Sequence, residues 1–391
     1  MQFVTLVALT PWRATEVATT RKMAKVQVWS REGIRRLVKG LHAGHGLRLI
    51  LGTVVGLLLL ALALRGVNWS QVGSALAETN YPLLALALGT VLLTTLVKAA
   101  RWRVLFPQEY SKPRLSKLFS VLLIGQMVNA LLPARLGEIA RAYLIGEIEG
   151  VDKALALSTV IVEKALDALM LLLLVALVFA FMPLPAWLGR SGILISGLLA
   201  VAVGLLLVGV YRAQWIRNCS KGIPKSPLLA WIWRSRPSKM MSWIHRFDLE
   251  RRLGTITAGL TALSRGDVAL RLLGWSVLVW ALAALTNYVT ILALGIRVPF
   301  LAALLLLAAL HLGVAVPSSP GRVGVFHYIC VLSLSLFSVD RSLAMSYGLV
   351  LHLIVFMPMI TLGAWFLWKE SYATGKPKAT ATLTTEEGAN P

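Results

Sequence analysis

The chain has 391 residues, 57% of them hydrophobic and only 14% charged, with a mean hydropathy of +0.75. Soluble domains carry about 25% charged residues, so this composition excludes a soluble enzyme and implies an all-α, polytopic integral membrane bundle. The net charge of +22 arises from lysines and arginines set between apolar runs, which fits anionic lipid and the positive-inside rule, not nucleic acid.

Residues 1–48 hold nine Lys and Arg. Met1 to Leu9 is apolar but lacks a leading positive region, so the segment reads as a cytosolic basic leader and not as a cleavable signal; Met23 is an alternative start. Apolar runs then follow at about 49–64, 82–97, 115–132, 155–182, 191–210, 271–295, 300–316, 323–337 and 342–368. Segments 98–117 and 211–271 hold six and twelve Lys and Arg, whereas 65–80, 183–190 and 296–299 hold one each. The leader and the two basic segments are therefore expected inside, with both termini cytoplasmic, and the other three outside.

That orientation makes 115–150 enter and return on the cytoplasmic side, and 300–337 on the other. Each would be a re-entrant hairpin, although 115–132 and 300–316 could instead cross completely. The expected architecture is two inverted repeats, 49–187 and 188–370, each with three spans and one re-entrant helical hairpin. The second repeat includes a basic cytosolic connector, 211–269, and a disordered tail follows at 371–391. Within the connector, Ser238 to Leu263 reads either as an amphipathic helix on anionic lipid or as a plain positive-inside loop. Trp102, Trp187, Trp365 and Trp368 read as interfacial anchors. Cys219 and Cys330 sit too differently to suggest a disulfide, and no metal-ligand spacing occurs.

Both hairpins carry the same break. Asn129-Ala-Leu-Leu-Pro-Ala-Arg-Leu-Gly-Glu138 is echoed by Val316-Pro-Ser-Ser-Pro-Gly-Arg-Val-Gly-Val325. Pro133, Pro317 and Pro320 break the helices, and Gly137 and Gly324 restart them. After each hairpin a matching octet follows, Val151 to Ser158 and Val339 to Ser346. Arg135 and Arg322 stand just before a helix N-terminus, where free N–H groups and a guanidinium fork suit a phosphate. Arg135, Arg322, Gly137, Gly324 and Asn129 are thus the candidate lipid-headgroup site; the alternative is that each arginine holds its hairpin by capping carbonyls or pairing with an acid. Gln126 and Asn129 are placed to bond the broken backbone.

Glu138, Arg141, Glu163, Lys164 and Asp167 form a candidate intramembrane charge network, in which Glu138 and Arg141 at i, i+3 would pair locally. Glu163 and Asp167 need cations, from Arg135, Arg141 or Lys164, and read as structural pairs or as a proton-coupling site. His327 is the candidate proton relay; His311 and His352 lie in the same membrane region, where satisfied hydrogen-bonding is the plainer role.

At Lys98-Ala-Ala-Arg-Trp-Arg103, Asn129 to Arg141, Val162-Glu-Lys-Ala-Leu-Asp167 and Pro320-Gly-Arg-Val-Gly-Val-Phe326, the chain resembles the flippase-like family typified by the transmembrane region of lysylphosphatidylglycerol synthases. The similarity covers about residues 45–370. It implies an integral membrane protein associated with moving lipids, often aminoacylated or glycan-linked, between leaflets, and the expected location is the bacterial inner membrane. His327 stands where the family commonly has glutamate, and only a short tail follows residue 370, so lysyl transfer is not expected.

The resulting reading is a translocase for a phospholipid or polyprenyl-phosphate-linked lipid, with no catalytic residue, no cofactor and no metal. Three competitors stay open. One is a non-catalytic membrane partner of a glycosyltransferase or cell-envelope enzyme, and another a transferase acting on polyprenyl phosphate. The third is an ion or solute carrier.

Overall fold

The computed structural model describes residues 51–107, 112–132, 136–182, 266–313 and 319–370, the backbone of 371–375, and isolated helical positions at 197, 200, 201 and 204. The leader, most of the 191–210 run, the connector up to residue 265 with its amphipathic segment, the tail beyond residue 375, Trp187 and Cys219 lie outside the described residues. Residues 266–269 and 371–375 are helical, which corrects the expected start of the second-half span and of the disordered tail. By compactness the chain divides into Leu51–Leu367 and a second unit of Met1–Ile50 with Trp368–Pro391. Only the last turns of a long helix are described in the second unit.

Every regular element among the described residues is helical. In chain order they are α1 (Leu51–Leu64), α2 (Trp69–Ala77), α3 (Tyr81–Val104), α4 (Leu115–Leu131), α5 (Gly137–Glu149), α6 (Lys153–Phe181), α7 (Gly266–Ala293), α8 (Phe300–Gly313), a 3-10 turn (Pro320–Arg322), α9 (Val325–Ser335) and α10 (Arg341–Gly375). Four of them, α3, α6, α7 and α10, are long and apolar enough to cross a membrane. α1 and α2 together make a fifth candidate, bent by 84°. α4 and α8 are apolar but shorter, at 17 and 14 residues.

α3 and α7 run antiparallel through the centre. The Asn80 N–H donates to the Ala293 carbonyl at 2.8 Å, the Thr90 and Thr286 hydroxyls meet at 2.8 Å, and Arg101 donates to the Ser276 hydroxyl at 3.1 Å. Small hydroxyl residues on the facing stripes, among them Thr94, Thr95 and Thr290, are buried and bond back to their own helices. Little side-chain volume separates the helices, and without a hydrophobic drive inside lipid such close packing is what holds them.

Two hairpins flank this pair. α4 and α5 pack on each other, and their outer ends meet where Arg114 binds the Glu149 carboxylate at 3.1 Å. α3 ends beside them, with Arg103 donating to the Pro113 carbonyl. α8 and α9 also pack together, and their outer ends lie at the opposite pole of α3 and α7. There the Asn68 N–H donates to the Ser342 hydroxyl, Arg341 donates to the Arg65 carbonyl, and Leu294, Gly295, Asp340 and Glu78 share one crevice.

The matching octets after the hairpins are helix caps. Asp152 accepts from the N–H groups of Ala154 and Leu155, and Asp340 from those of Ser342 and Leu343. The Ser342 N–H chiefly holds the Asp340 carboxyl below the usual range.

Two expectations need correction. Lys98 to Arg103 is not a loop, because α3 continues through Val104. Trp102 is not an interfacial anchor: it is fully buried and donates its indole N–H to Thr159 at 2.9 Å. Trp365 and Trp368 are exposed, as anchors would be.

Candidate functional site

The second break is built from its backbone outward. Gly321 has φ 71°, Arg322 φ 57° and Gly324 φ 91°, so three of four consecutive residues lie at positive φ. For arginine this is an uncommon conformation, and such strain gathers at functional sites. The Arg322 N–H returns to the Ser319 carbonyl, the Ser319 hydroxyl donates to the Val323 carbonyl, and His352 Nε2 bonds the Gly321 carbonyl at 2.8 Å. The broken backbone is thereby satisfied within the protein, as membrane depth requires. A Cβ on Gly324 would stand 1.8 Å from the Gly56 carbonyl oxygen of α1, so only glycine fits. The turn packs on α4 of the first hairpin. Arg322 is half-buried and lies within electrostatic reach of His311.

Of the first break, Pro133 and Arg135 lie outside the described residues, as Pro317 does near the second. What surrounds them is clear. Leu131 and Leu132 are exposed, and α5 restarts at Gly137, whose N–H donates to Asn129 Oδ1 at 2.8 Å. Asn129 thus bonds the restarted backbone. A Cβ on Gly137 would fall 1.9 Å from the Gly125 carbonyl oxygen, so the two arms of the hairpin touch glycine to glycine.

Between α3, α4, α5 and α6 lies a buried ion network. Arg101 Nη2 binds Asp167 Oδ1 at 2.8 Å and Glu163 Oε1 at 3.4 Å. Arg141 Nη2 lies 2.9 Å from Glu163 Oε2, and its Nη1 donates to Oε1 at 3.3 Å. Lys164 binds Glu138 at 3.1 Å and approaches Asp167 at 3.9 Å. The Arg141 guanidinium stands over the Trp102 ring at 5.0 Å. The five network residues expected from the sequence are therefore together. The expected pairing of Glu138 with Arg141 is corrected, since each binds a partner on α6 instead.

Sequence reasoning misses Arg101 as a partner, because it falls in the basic segment 98–117. Its position one turn before the end of α3, on the stripe of Thr90, Thr94 and Val97, was the available signal.

A cavity of about 70 Å³ opens against this network, lined by Lys98, Gln126, Arg141, Glu163, Lys164 and Asp167 among others. Its inner wall is deep, with Glu163 3% and Arg141 7% exposed. A larger crevice of about 470 Å³ lies at the other pole, with Glu78 and Asp340, and is lined by neither break.

The histidines divide. His327 is buried, neither ring nitrogen has a partner, and its ring lies 5.1 Å from His352. The His311 ring lies against Trp280, tilted by 38° with centroids 4.7 Å apart, and its Nδ1 bonds the Leu307 carbonyl. Lys98, Asp167 and Arg322 all lie within electrostatic reach of His311. Among the described residues no three His, Cys, Asp or Glu side chains gather closely enough to hold a metal ion.

A family model described as the lysylphosphatidylglycerol synthase TM region matches residues 49–363. A UPF0104 membrane protein of Methanothermobacter thermautotrophicus is 25% identical over 327 residues, covering 79% of this chain and 92% of the relative. Two UPF0104 membrane proteins of Methanocaldococcus jannaschii are also 25% identical. One match covers 33% of this chain and 39% of the relative, the other 61% and 91%. No solved structure matches.

Proposed function

The chain belongs to the lysylphosphatidylglycerol synthase TM region family, and on that premise we propose that it is a translocase for a phosphate-bearing lipid, aminoacylated or glycan-linked, in a bacterial inner membrane. The observation that carries this reading is the strained Pro320–Arg322 turn, seated on α4 of the first hairpin. Broken backbone and guanidinium at membrane depth mark a path for a polar group.

In this reading the hairpins are re-entrant and the two halves form an inverted repeat. Supporting it, the outer ends of α4–α5 and α8–α9 gather at opposite poles of the antiparallel α3–α7 pair, and each hairpin is followed by an aspartate-capped helix. Arg135 and Arg322 receive the headgroup phosphate, each aided by the helix that restarts at Gly137 or Gly324. Asn129 holds the first restart in place. Rocking of one half against the other then exposes the headgroup to alternate faces while its acyl chains stay in lipid. The chain moves its substrate and performs no chemistry on it.

Proteoliposomes carrying fluorescent phosphatidylglycerol test this. Arg135→Ala and Arg322→Ala should each reduce headgroup transfer to the protein-free rate, while circular dichroism and gel filtration stay unchanged. Full transfer by both variants sinks the site. Absence of transfer by the wild type, together with a co-purifying envelope enzyme, would favour a non-transporting partner.

A further inference from the structure

The charged cluster that walls the cavity, counted with Arg101 behind it, is unbalanced. Lys98, Arg101, Arg141 and Lys164 bring four positive charges, and Glu138, Glu163 and Asp167 three negative ones. The groups acting electrostatically on Lys98 are Asp167, Lys164, Arg101 and Glu163, all members of this set. Each acid is held by a cation other than Lys98. Lys98 is half-buried, lines the cavity, and makes no hydrogen bond or ion pair among the described residues. Three further polar atoms are buried without partners: Gln126 Oε1, Arg141 Nε and Arg101 Nε. An uncompensated cation and unpartnered donors this deep in an apolar bundle are expensive unless something completes them.

We propose that this cavity binds a singly charged phosphate group, and that the lipid phosphodiester of the translocation reading is its source. One negative charge balances the cluster of Lys98, Arg101, Arg141 and Lys164 with Glu138, Glu163 and Asp167. The ammonium of Lys98 and Nε of Arg141 are the donors, and the N-terminus of α5 at Gly137 borders the same space. About 70 Å³ accommodates the equivalent of two waters at ~30 Å³ each, which suits a phosphate group but not a whole headgroup. The remainder must stay outside. The exposed rim provides for this: Lys164, Asp167 and Glu138 are 43%, 26% and 24% exposed, so the cavity opens past α5 and α6. The cavity is therefore a second phosphate subsite on the first hairpin's side, distinct from Arg322, and Lys98 is its specificity-determining residue. Its lipid source rests on the translocation reading, but its charge chemistry does not.

The test uses the full chain in phosphatidylcholine nanodiscs containing phosphatidylglycerol, with retained lipid counted by native mass spectrometry. Lys98→Met should weaken phosphatidylglycerol retention by about tenfold, the scale of one charged hydrogen bond. It should do so in both wild-type and Arg322→Ala backgrounds. Lys98→Arg, which keeps the charge, should retain the lipid. Lipid-free Lys98→Met should melt no lower than the wild type, because an unpaired buried cation has been removed. A purely structural lysine would instead lower the melting temperature.

Equal retention by wild type and Lys98→Met overturns the proposal, as does loss in Lys98→Arg equal to that in Lys98→Met. Titration with inorganic phosphate separates the sources. Retained lipid that resists it is the occupant, whereas displacement at low millimolar phosphate assigns the site to the free anion and overturns the lipid source. Transfer by Arg322→Ala reports on translocation alone, so the two readings fail separately.

Discussion

Arg101 shows how much depends on one side chain. It is fully buried, and it ties α3 both to α6 through Asp167 and Glu163 and to α7 through Ser276. Removing one member of a buried ion group leaves the others charged and unsolvated, a loss of about 3–5 kcal/mol. Arg101→Met should therefore lower thermal stability in detergent by that order, and replacing Asp167 by Leu in the same chain should recover much of it. No recovery in the double variant would mean that Arg101 acts through packing alone. Glu163 is the better protected acid, gripped by two arginines at 3% exposure, whereas Asp167 borders the cavity at 26%. In the sequence the acids and Lys164 stood out because charge is rare in an apolar run. Arg101 did not, since a Lys-Ala-Ala-Arg-Trp-Arg string at a span end reads equally as helix or as basic loop. Which of the two it is depends on whether acids on another helix stand opposite.

At the scale of elements, the breaks and the close glycine contacts define the hairpins. Gly137 against Gly125 and Gly324 against Gly56 are places where two backbones touch, so a side chain has no space. Gly324 also has φ 91°, a conformation costing a non-glycine residue about 1–3 kcal/mol before any clash is counted. Gly324→Ala should thus lower the melting temperature and reduce transfer together. Gly73→Ala, with open space around it in a helix interior, is the control and should leave transfer unchanged and the melting temperature no lower. An unaltered Gly324→Ala protein would mean that α1 is free to move away from the break. The paired Pro-x-Arg-x-Gly strings and the repeated octets were legible because helix breakers inside apolar sequence are conspicuous. That each octet is an aspartate cap follows from the same letters. That Gly324 meets Gly56, some 270 positions away, does not.

For the whole molecule, the antiparallel α3–α7 pair sets which loops share a face. Residues 65–80, 294–299 and 336–341 gather at one pole, while 104–107, 112–114 and 149–153 gather at the other. In a chain with Cys219 and Cys330 replaced, single cysteines at Ser74 and Ser338 should therefore react with an impermeant maleimide from one side of the membrane. Cysteines at Lys112 and Asp152 should react from the opposite side, and same-side labelling of Ser74 and Lys112 would contradict the arrangement. By itself the sequence determined the membrane class, most of the long helices, the positions of the breaks and five of the charged residues that the network brings together. Composition and hydropathy are sums over neighbours along the chain, and breakers and caps act within a turn or two. Only the tertiary structure decided which charges pair, that Lys98 is left as the surplus cation, that Trp102 is core, and that the second break rests on the first hairpin. Those outcomes depend on which helix faces lie opposite one another, and in an apolar bundle many faces satisfy the local rules equally well until the buried charges and touching glycines select one.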